Sequence, residues 1–277
     1  MELVKPEPLI IGGRAHYTLT SYDPVSIEVN VSTTSPQDVE MALQVTITQM
    51  GGGPAELQND AWIRENFEGL HNASELRELI RQELTAMNAE VAERQKVQKC
   101  AEALASRLVQ AVPRSAVIRA EKALAESFAL GLQEQGATEA DFLAQTGMRT
   151  SDLQAMFAAQ AKDAAEQEAA IDAWIEHCKI EISDEELPRY IGVPEEEDAT
   201  EILNQLRRSG QMAEARQLAL RNKAMGIVVA EASCTYRHET PEQALARSRA
   251  AQRTLDAQMQ AQQKKNRGDD RPRLTLV

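Results

Sequence analysis

The chain has 277 residues, enough for one large domain or two ordinary ones, and it carries a formal net charge of −13. Because nucleic acids are polyanions, this charge argues against general nucleic-acid binding, and no specific DNA binding is expected. Hydrophobic residues make up 43% of the chain, but aromatic residues only 4%. Alanine fills much of the apolar fraction, favours helix and buries little area per residue, so we expect long helices with thin packing.

The chain contains no run of apolar residues long enough to span a bilayer. Its first residues also lack the apolar core of a signal peptide, so we expect a cytoplasmic protein with no membrane partner. The three cysteines are Cys100, Cys178 and Cys234, and their wide spacing matches no zinc or redox motif. We interpret them as small buried hydrophobic residues.

The N-terminal part is predicted to contain the only strands. Residues 15 to 31 predict a strand, a turn at Asp23-Pro24 and a second strand, because apolar and polar residues alternate from Val25 to Val31. A helix is then expected from Ser35-Pro36 to about Met50, where a glycine-rich segment ends it. Residues 1–58 are therefore predicted to form a strand-turn-strand segment with a linking helix.

Long helices dominate the middle of the chain. After a short helix at 60–68, the absence of proline and glycine over 72–110 predicts a helix of about 35 residues and about 50 Å. Two more long helices are expected over 113–135 and 150–179, and a capped short helix over 138–147 connects them. This connector turns one long helix back toward the next, so the pattern predicts paired helical arms.

The last third of the chain predicts shorter elements. A short helix is expected over 184–186, limited by Pro188 and Pro194, and further helices over 199–208 and from 211 to about 233. We assign residues 59–240 to one helical domain. Residues 241–277 are poor in apolar residues and are predicted to be a flexible helical or disordered tail. The expected fold class is mainly α, an elongated multi-helix body with helical arms and a small N-terminal β segment.

Motifs of the familiar catalytic sites are absent. The sequence has no GxSxG, HExxH, P-loop or GxGxxG motif, and its four histidines have no partner spacing. The acidic pair Glu185-Glu186 is interpreted as a solvated face or a helix cap. The sequence therefore predicts no catalytic residue, no metal site and no cofactor, and we expect the protein not to be an enzyme.

Several short motifs at predicted helix boundaries follow one another in a characteristic order. They are Val112-Pro113, Gln135-Gly136, Phe142-Leu143, Gly147 and the segment from Ile182 to Glu186. In this order they resemble the C-terminal chaperone domain of trigger factor, and the resemblance extends over about residues 15–236. It is shared more distantly with SurA- and PrsA-type chaperones, which carry signal peptides.

Two parts of trigger factor have no counterpart in the sequence. The ribosome-docking segment is not found, and GGGPAEL at 51–57 stands where the FKBP-like isomerase domain would be inserted. The resemblance therefore does not extend to ribosome docking or to prolyl isomerase activity. A degenerate isomerase is an alternative that the low aromatic content disfavours.

The resemblance implies an ATP-independent molecular chaperone. It would act as a holdase that binds unfolded or partly folded polypeptides, nascent chains included, in a cradle between the helical arms. The candidate contact residues are Phe128, Phe142, Met148, Met156 and Phe157, a set that would serve equally well as core. The alternative function is a non-catalytic assembly or scaffold protein that binds one dedicated partner or itself, as a homodimer.

Overall fold

The structure is a computed structural model that describes residues 5–194, 198–250 and 253. It is mainly helical, at 67% helix, with a small N-terminal β segment, which confirms the predicted fold class. The described strands are β1 (Leu9–Ile11), β2 (Arg14–His16), β3 (Ser26–Ser32) and β4 (Ser233–Glu239). The described α-helices are α1 (Pro36–Gln49), α2 (Asp60–Asn66), α3 (Ala73–Ser106), α4 (Arg114–Glu134), α5 (Glu139–Thr146), α6 (Thr150–Cys178), α7 (Leu187–Tyr190), α8 (Ala199–Ser209) and α9 (Met212–Glu231).

The chain forms two compact units. The first unit comprises Met1–Glu28 and Lys96–Thr235, and the second comprises Val29–Gln95 and Tyr236–Val277. The predicted boundaries at residues 58 and 240 stay a prediction. Most of the predicted tail lies outside the described residues.

The second unit has a small hydrophobic core between α1, α2 and α3. A capping box between Ser35 and Asp38 begins α1. The buried residues of this helix lie on one face, which packs into the core. The residues buried in this core are Val39, Leu43, Ile47, Ile63, Ala73, Leu76 and Ile80. Outside the core, Arg77 Nε donates to a carboxylate oxygen of Glu40 at 2.6 Å, which ties α1 to α3 at the surface.

In the glycine-rich turn after α1, the backbone of Gly52 packs closely against the side chains of Ile47 and Trp62. A Cβ at Gly52 would lie 2.7 Å from Ile47 Cγ2 and 2.8 Å from the Trp62 ring, so only glycine fits there without movement. The turn leads into a short 3-10 helix at Pro54–Gln58, and α2 follows at Asp60. The GGGPAEL segment is thus a compact connection between α1 and α2.

Strand β2 pairs with β1, and this corrects the predicted strand-turn-strand. The register places Leu9 opposite His16 and Ile11 opposite Arg14. Gly12 and Gly13, with φ of 58° and 80°, form the two-residue turn, a conformation that matches the twist of a hairpin. The sequence prediction placed the turn at Asp23-Pro24 and missed β1.

The alternation from Val25 to Val31 does form a strand, β3, with Val25, Ile27 and Val29 buried. Its partner is β4, which the sequence did not predict. The Ser233 N–H donates to the Val25 carbonyl at 2.9 Å, and the Thr33 N–H donates to the Glu239 carbonyl at 2.8 Å. These two bonds show that β3 and β4 run in the same direction.

Helices α4 and α6 pack side by side in the first unit. The face that α6 buries is rich in alanine, with Ala161, Ala165 and Ala169 spaced at one helical turn. Small side chains allow two helices to approach closely, but each contributes little apolar area. The buried face of α6 therefore consists largely of small side chains.

Charged contacts attach α9 to α6. Arg221 Nε and Nη2 donate to the two carboxylate oxygens of Asp172 at 2.8 and 2.7 Å, and Glu168 lies 3.0 Å from the same guanidinium. Gln217 donates to Asp172 as well, at 3.1 Å. Burial lowers the pKa of Arg221, but its bonds to Asp172 and Glu168 outweigh this and raise it. Arg221 therefore stays charged at the helix interface.

Helix α7 corrects a second prediction. The sequence pattern predicted a helix at 184–186 that Pro188 would limit, whereas α7 begins at Leu187 and holds Pro188 in its first turn. Proline is tolerated there because the first N–H groups of a helix have no intrahelical partner. The residues before α7 bind α8 and α9 through their carboxylates. Glu186 accepts a hydrogen bond from Lys223 Nζ at 2.7 Å, and Asp184 accepts from Arg207 and Arg216.

Candidate functional site

The connector between α4 and α6 is a well-capped short helix, α5. Its Thr138 hydroxyl and backbone N–H donate to the Asp141 carboxylate at 2.6 and 3.0 Å, while the Asp141 N–H donates back to the hydroxyl at 3.2 Å. These hydrogen bonds lower the pKa of the Asp141 carboxyl. Gly147 ends the helix in the left-handed conformation, with φ of 68°. The sequence signals for this connector are confirmed.

The first turn of α6 is fixed by an ion pair. Arg149 Nε and Nη2 each lie 3.0 Å from a carboxylate oxygen of Asp152. The hydrogen bond to Arg149 lowers the pKa of Asp152, which stays ionised next to the positive end of the helix dipole. The first turns of α5 and of α6 are therefore each held by local polar contacts.

Three helices contribute one phenylalanine each to an aromatic cluster, which we call the Phe cluster. The ring centroid of Phe128 in α4 lies 5.0 Å from that of Phe142 in α5 and 5.4 Å from that of Phe157 in α6. Both contacts are edge-to-face, the arrangement that the aromatic quadrupole favours. All three rings are half-buried, so the cluster is neither closed core nor free surface.

The structure thus brings together three of the five residues proposed from the sequence. Met148 lies on the connection between α5 and α6, and Met156 directly precedes Phe157; both are half-buried. Leu132 and Leu153, one helical turn from Phe128 and Phe157, are buried. By this spacing the leucines lie on the same helix faces as the rings and provide the packed base of the cluster.

Other exposed apolar side chains were not predicted. On α4, Ile118 and Leu130 are exposed, and the β1 strand exposes Leu9, Ile10 and Ile11 in succession. The second unit exposes Met41 and Val45 on α1. The glycine pair after a run of branched residues is a hairpin signal that could have located the β1 residues. The exposed positions on α1 and α4 have no comparable signal, because a single exposed aliphatic residue is common.

The long α6 helix is strongly acidic. It carries six carboxylates, and Lys162 is its only lysine or arginine. Asp163 and Glu166 line an open polar groove of about 320 Å³ with Glu102 of α3. Lys99 lies 2.9 Å from Glu102, and Lys162 lies 4.0 Å from Glu166, so two of these three carboxylates have a lysine partner. Because Lys5 also lines the groove, its charge is mixed, and the groove is polar rather than strongly anionic.

Within 5–194, 198–250 and 253, no cluster of three or more histidine, cysteine, aspartate or glutamate side chains has the geometry to hold a metal ion. No helix in the described part of the chain combines the length and apolar character needed to cross a bilayer.

Comparison with known proteins places the chain in a family. The family model described as "Bacterial trigger factor protein (TF) C-terminus" matches residues 72–230. No curated protein sequence gives a significant match. Among solved structures, the hypothetical Mycoplasma protein MPN555 is similar, at 13% identity and a TM-score of 0.40, over 82% of this chain and 96% of that one. Because the family model covers more than half of the 277 residues, the chain belongs to the trigger factor family through its C-terminal domain.

Proposed function

We propose that the protein is an ATP-independent chaperone, a holdase that binds unfolded or partly folded polypeptides and nascent chains. Its family is chaperone-like, which supports the proposal. The observation that carries it is the half-buried Phe cluster of Phe128, Phe142 and Phe157, which lies where α5 joins α4 to α6. The proposed client-contact residues are these three with Met148 and Met156.

A cluster of this kind suits transient binding. Exposed apolar patches are uncommon on soluble proteins and usually mark binding surfaces. The three rings offer a fixed aromatic patch, and flexible methionine side chains beside it adapt to different partners. Polar residues surround the patch, for example Thr146 and Arg149, which are both exposed. The contact area for any one client segment is therefore small, and binding is weak and reversible.

The charge of α6 favours particular client segments. Several of the six carboxylates on this helix have cationic partners, but the chain as a whole has a net charge of −13 and therefore repels acidic segments. The preferred segments combine apolar side chains, which contact the Phe cluster, with nearby lysine or arginine. Screening by salt weakens the charged part of this interaction and leaves the apolar part.

The proposal includes no chemical step. The trigger factor C-terminal domain alone is not catalytic, which is compatible with a protein that is not an enzyme. Shielding of apolar segments requires no cofactor and no nucleotide. We place this activity in the cytoplasm, where newly made chains expose such segments.

The proposal is tested with a chemically unfolded, unrelated client diluted into buffer. Light scattering is recorded with the protein at stoichiometric amounts, without nucleotide, and with albumin as the control. We expect suppression of scattering that grows with dose and exceeds that of albumin. Scattering equal to that with albumin, for several clients, would contradict a general chaperone.

The second candidate is an assembly protein that binds one dedicated partner or itself. The hairpin favours this candidate, because Leu9, Ile10 and Ile11 are all more than half exposed. Three aliphatic side chains supply far less than the roughly 800 Å² that each partner buries in a stable complex, so this interface would need further surface. Such a protein would ignore unrelated unfolded chains, and the scattering assay separates the two functions.

A further inference from the structure

The three cysteines differ in accessibility. Cys100 in α3 is fully buried, at 0% exposure, whereas Cys234, the second residue of β4, is half-buried. Cys178, the last residue of α6, is exposed. Cys100 and Cys234 are separated by 133 residues in the sequence, and this spacing did not suggest that they are neighbours in the fold.

Backbone and side-chain contacts in the first unit bring Cys234 toward Cys100. The Ser233 N–H donates to the Val25 carbonyl at 2.9 Å, which fixes the start of β4 beside Val25. The side chains of Val25 and Leu104 line one small cavity of about 10 Å³. Leu104 follows Cys100 by one helical turn, on the same face of α3. The start of β4 therefore lies against the face of α3 that carries Cys100.

The orientation of Cys234 follows from the alternation of the strand. Ser233 and Thr235 are exposed and Cys234 is half-buried, so the thiol lies on the inner face of β4. Burial raises the pKa of Cys100; the charge of Lys96 opposes this increase, and a negative charge on Cys234 adds a smaller increase. An effect of one thiolate on the other thiol is consistent with two neighbouring groups.

We propose that Cys100 and Cys234 form a reversible intramolecular disulfide when the protein reacts with hydrogen peroxide. The Cys234 thiolate attacks the terminal peroxide oxygen, the O–O bond breaks, and hydroxide leaves to form water. The resulting sulfenic acid is then attacked at sulfur by Cys100, the S–O bond breaks, and the hydroxide leaving group takes up the Cys100 proton. Two thiols are oxidised, one peroxide is reduced, and two waters are released.

The order of the two steps follows from access. Cys234 is the thiol that peroxide can reach, whereas Cys100 is buried and protonated, so it reacts only with the sulfenic acid formed beside it. Cys178 is exposed, but partial burial and then the charge of Glu231 raise its pKa, which lowers its thiolate fraction. Exposure alone therefore does not make Cys178 the reactive residue.

The disulfide would link α3 to β4. The chain between them, residues 101–233, contains α4 to α9. A covalent link at the two ends of this segment restricts the unfolded state of the helices that carry the Phe cluster. The inference concerns the chain's own thiol chemistry and does not depend on the proposed chaperone function.

The test uses the full-length Cys178→Ser protein, which keeps only the two thiols in question. The folded protein is treated with hydrogen peroxide, quenched and unfolded in guanidinium, and its free thiols and intact mass are measured. We expect the thiol count to fall from two to zero, a mass loss of two hydrogen atoms, and full recovery with dithiothreitol. Adding Cys234→Ser to this protein should leave the Cys100 thiol intact at the same peroxide dose.

Peptide mapping of the oxidised wild-type protein provides a measurement without substitutions. It is expected to show a Cys100–Cys234 linked peptide within single chains. The proposal is overturned if Cys234 gains oxygen atoms while Cys100 remains a free thiol. It is equally overturned if both thiols persist, or if the linked peptide joins Cys178 to Cys234.

Discussion

The ring of Phe128 lies edge-on to the ring of Phe142, with centroids 5.0 Å apart and ring planes at 81°. This contact attaches α5 to α4, and both rings stay half-buried. The same side chains therefore hold the connector in place and present apolar surface. Their two roles can be separated by measuring stability and client binding on the same variants.

Phe142→Ala removes one ring of the Phe cluster. We expect the free energy of unfolding to fall by about 1–2 kcal/mol, less than for a fully buried phenylalanine, because the ring is half-buried. We also expect the affinity for an unfolded client to fall about three- to tenfold, the equivalent of roughly 1 kcal/mol of lost contact. Urea titration gives the first quantity, and fluorescence anisotropy with a labelled client gives the second.

The matched control for this variant is Gln133→Ala, which changes an exposed side chain of α4 without touching a ring. It should leave both quantities close to those of the wild type. Client affinity of Phe142→Ala must be measured where circular dichroism shows the variant fully folded. Unchanged affinity under those conditions would remove Phe142 from the proposed contact surface.

Gly52→Ala should destabilise the second unit. The new Cβ would lie within 3 Å of Ile47 and of the Trp62 ring, both part of or next to the core. Overpacking of this kind typically costs about 1–3 kcal/mol. Gly53→Ala is the control, because its Cβ would meet only Glu56 at 3.5 Å, an ordinary contact. Equal urea midpoints for the two variants would contradict this prediction, because they would show that the turn accommodates the new Cβ without loss of stability.

The bidentate pair of Asp172 and Arg221 should stabilise the contact between α6 and α9. Both side chains are less than one-third exposed, so screening by water is incomplete. Asp172→Asn is expected to lower the free energy of unfolding by about 1–3 kcal/mol, the range for hydrogen bonds to charged groups. Glu90→Gln, which removes the exposed pair with Arg94 at 3.5 Å, should cost less than about 0.5 kcal/mol.

A double-mutant cycle with Arg221→Met isolates the coupling between the two residues. Coupling near zero would show that the Asp172 effect comes from elsewhere, for example from its bond to Gln217.

Acid should release the cap of α5. Hydrogen bonds from Thr138 lower the pKa of Asp141 in the folded state below the usual 3.8. In the unfolded chain the pKa of Asp141 is the usual 3.8, so the ionised carboxylate stabilises the folded state fully above that pH. This stabilisation is lost as the pH falls through the lower pKa of the folded state. We expect the protection factors of the Thr138 and Asp141 amides, taken relative to intrinsic exchange at each pH, to fall below about pH 4, and an Asp141→Ala variant to show a low protection factor at Thr138 already at pH 7. If the protection of these amides in the wild type already falls at pH 6, the effect belongs to a group other than Asp141.

Local signals predicted most of the helices. The capping box at Thr138, the left-handed Gly147 and the proline after Val112 each act within one turn, so the sequence shows them directly. The same reasoning misplaced α7, because Pro188 was taken as a stop although the first turn of a helix accepts proline. It also extended α9 to 233, where pairing with Val25 draws the chain into β4 instead.

The residues of the Phe cluster could be predicted from the sequence, but their contacts with one another could not. Aromatic residues in a chain with few of them stand out, so Phe128, Phe142 and Phe157 could be named from the sequence. Their mutual contacts depend on the antiparallel return of α6 along α4, which no local pattern encodes. The proposed proximity of Cys100 to Cys234 depends in the same way on β4, a strand that the sequence did not predict.

The most direct measurement is equilibrium binding of the wild-type protein to one labelled polypeptide in two states. The client is used once as a permanently unfolded form, reduced and carboxymethylated, and once in its native fold, without nucleotide. The account predicts saturable binding of the unfolded form, with a Kd on the order of micromolar, and no binding of the native form. Equal affinity for both forms, or no binding of the unfolded form, would contradict the chaperone function.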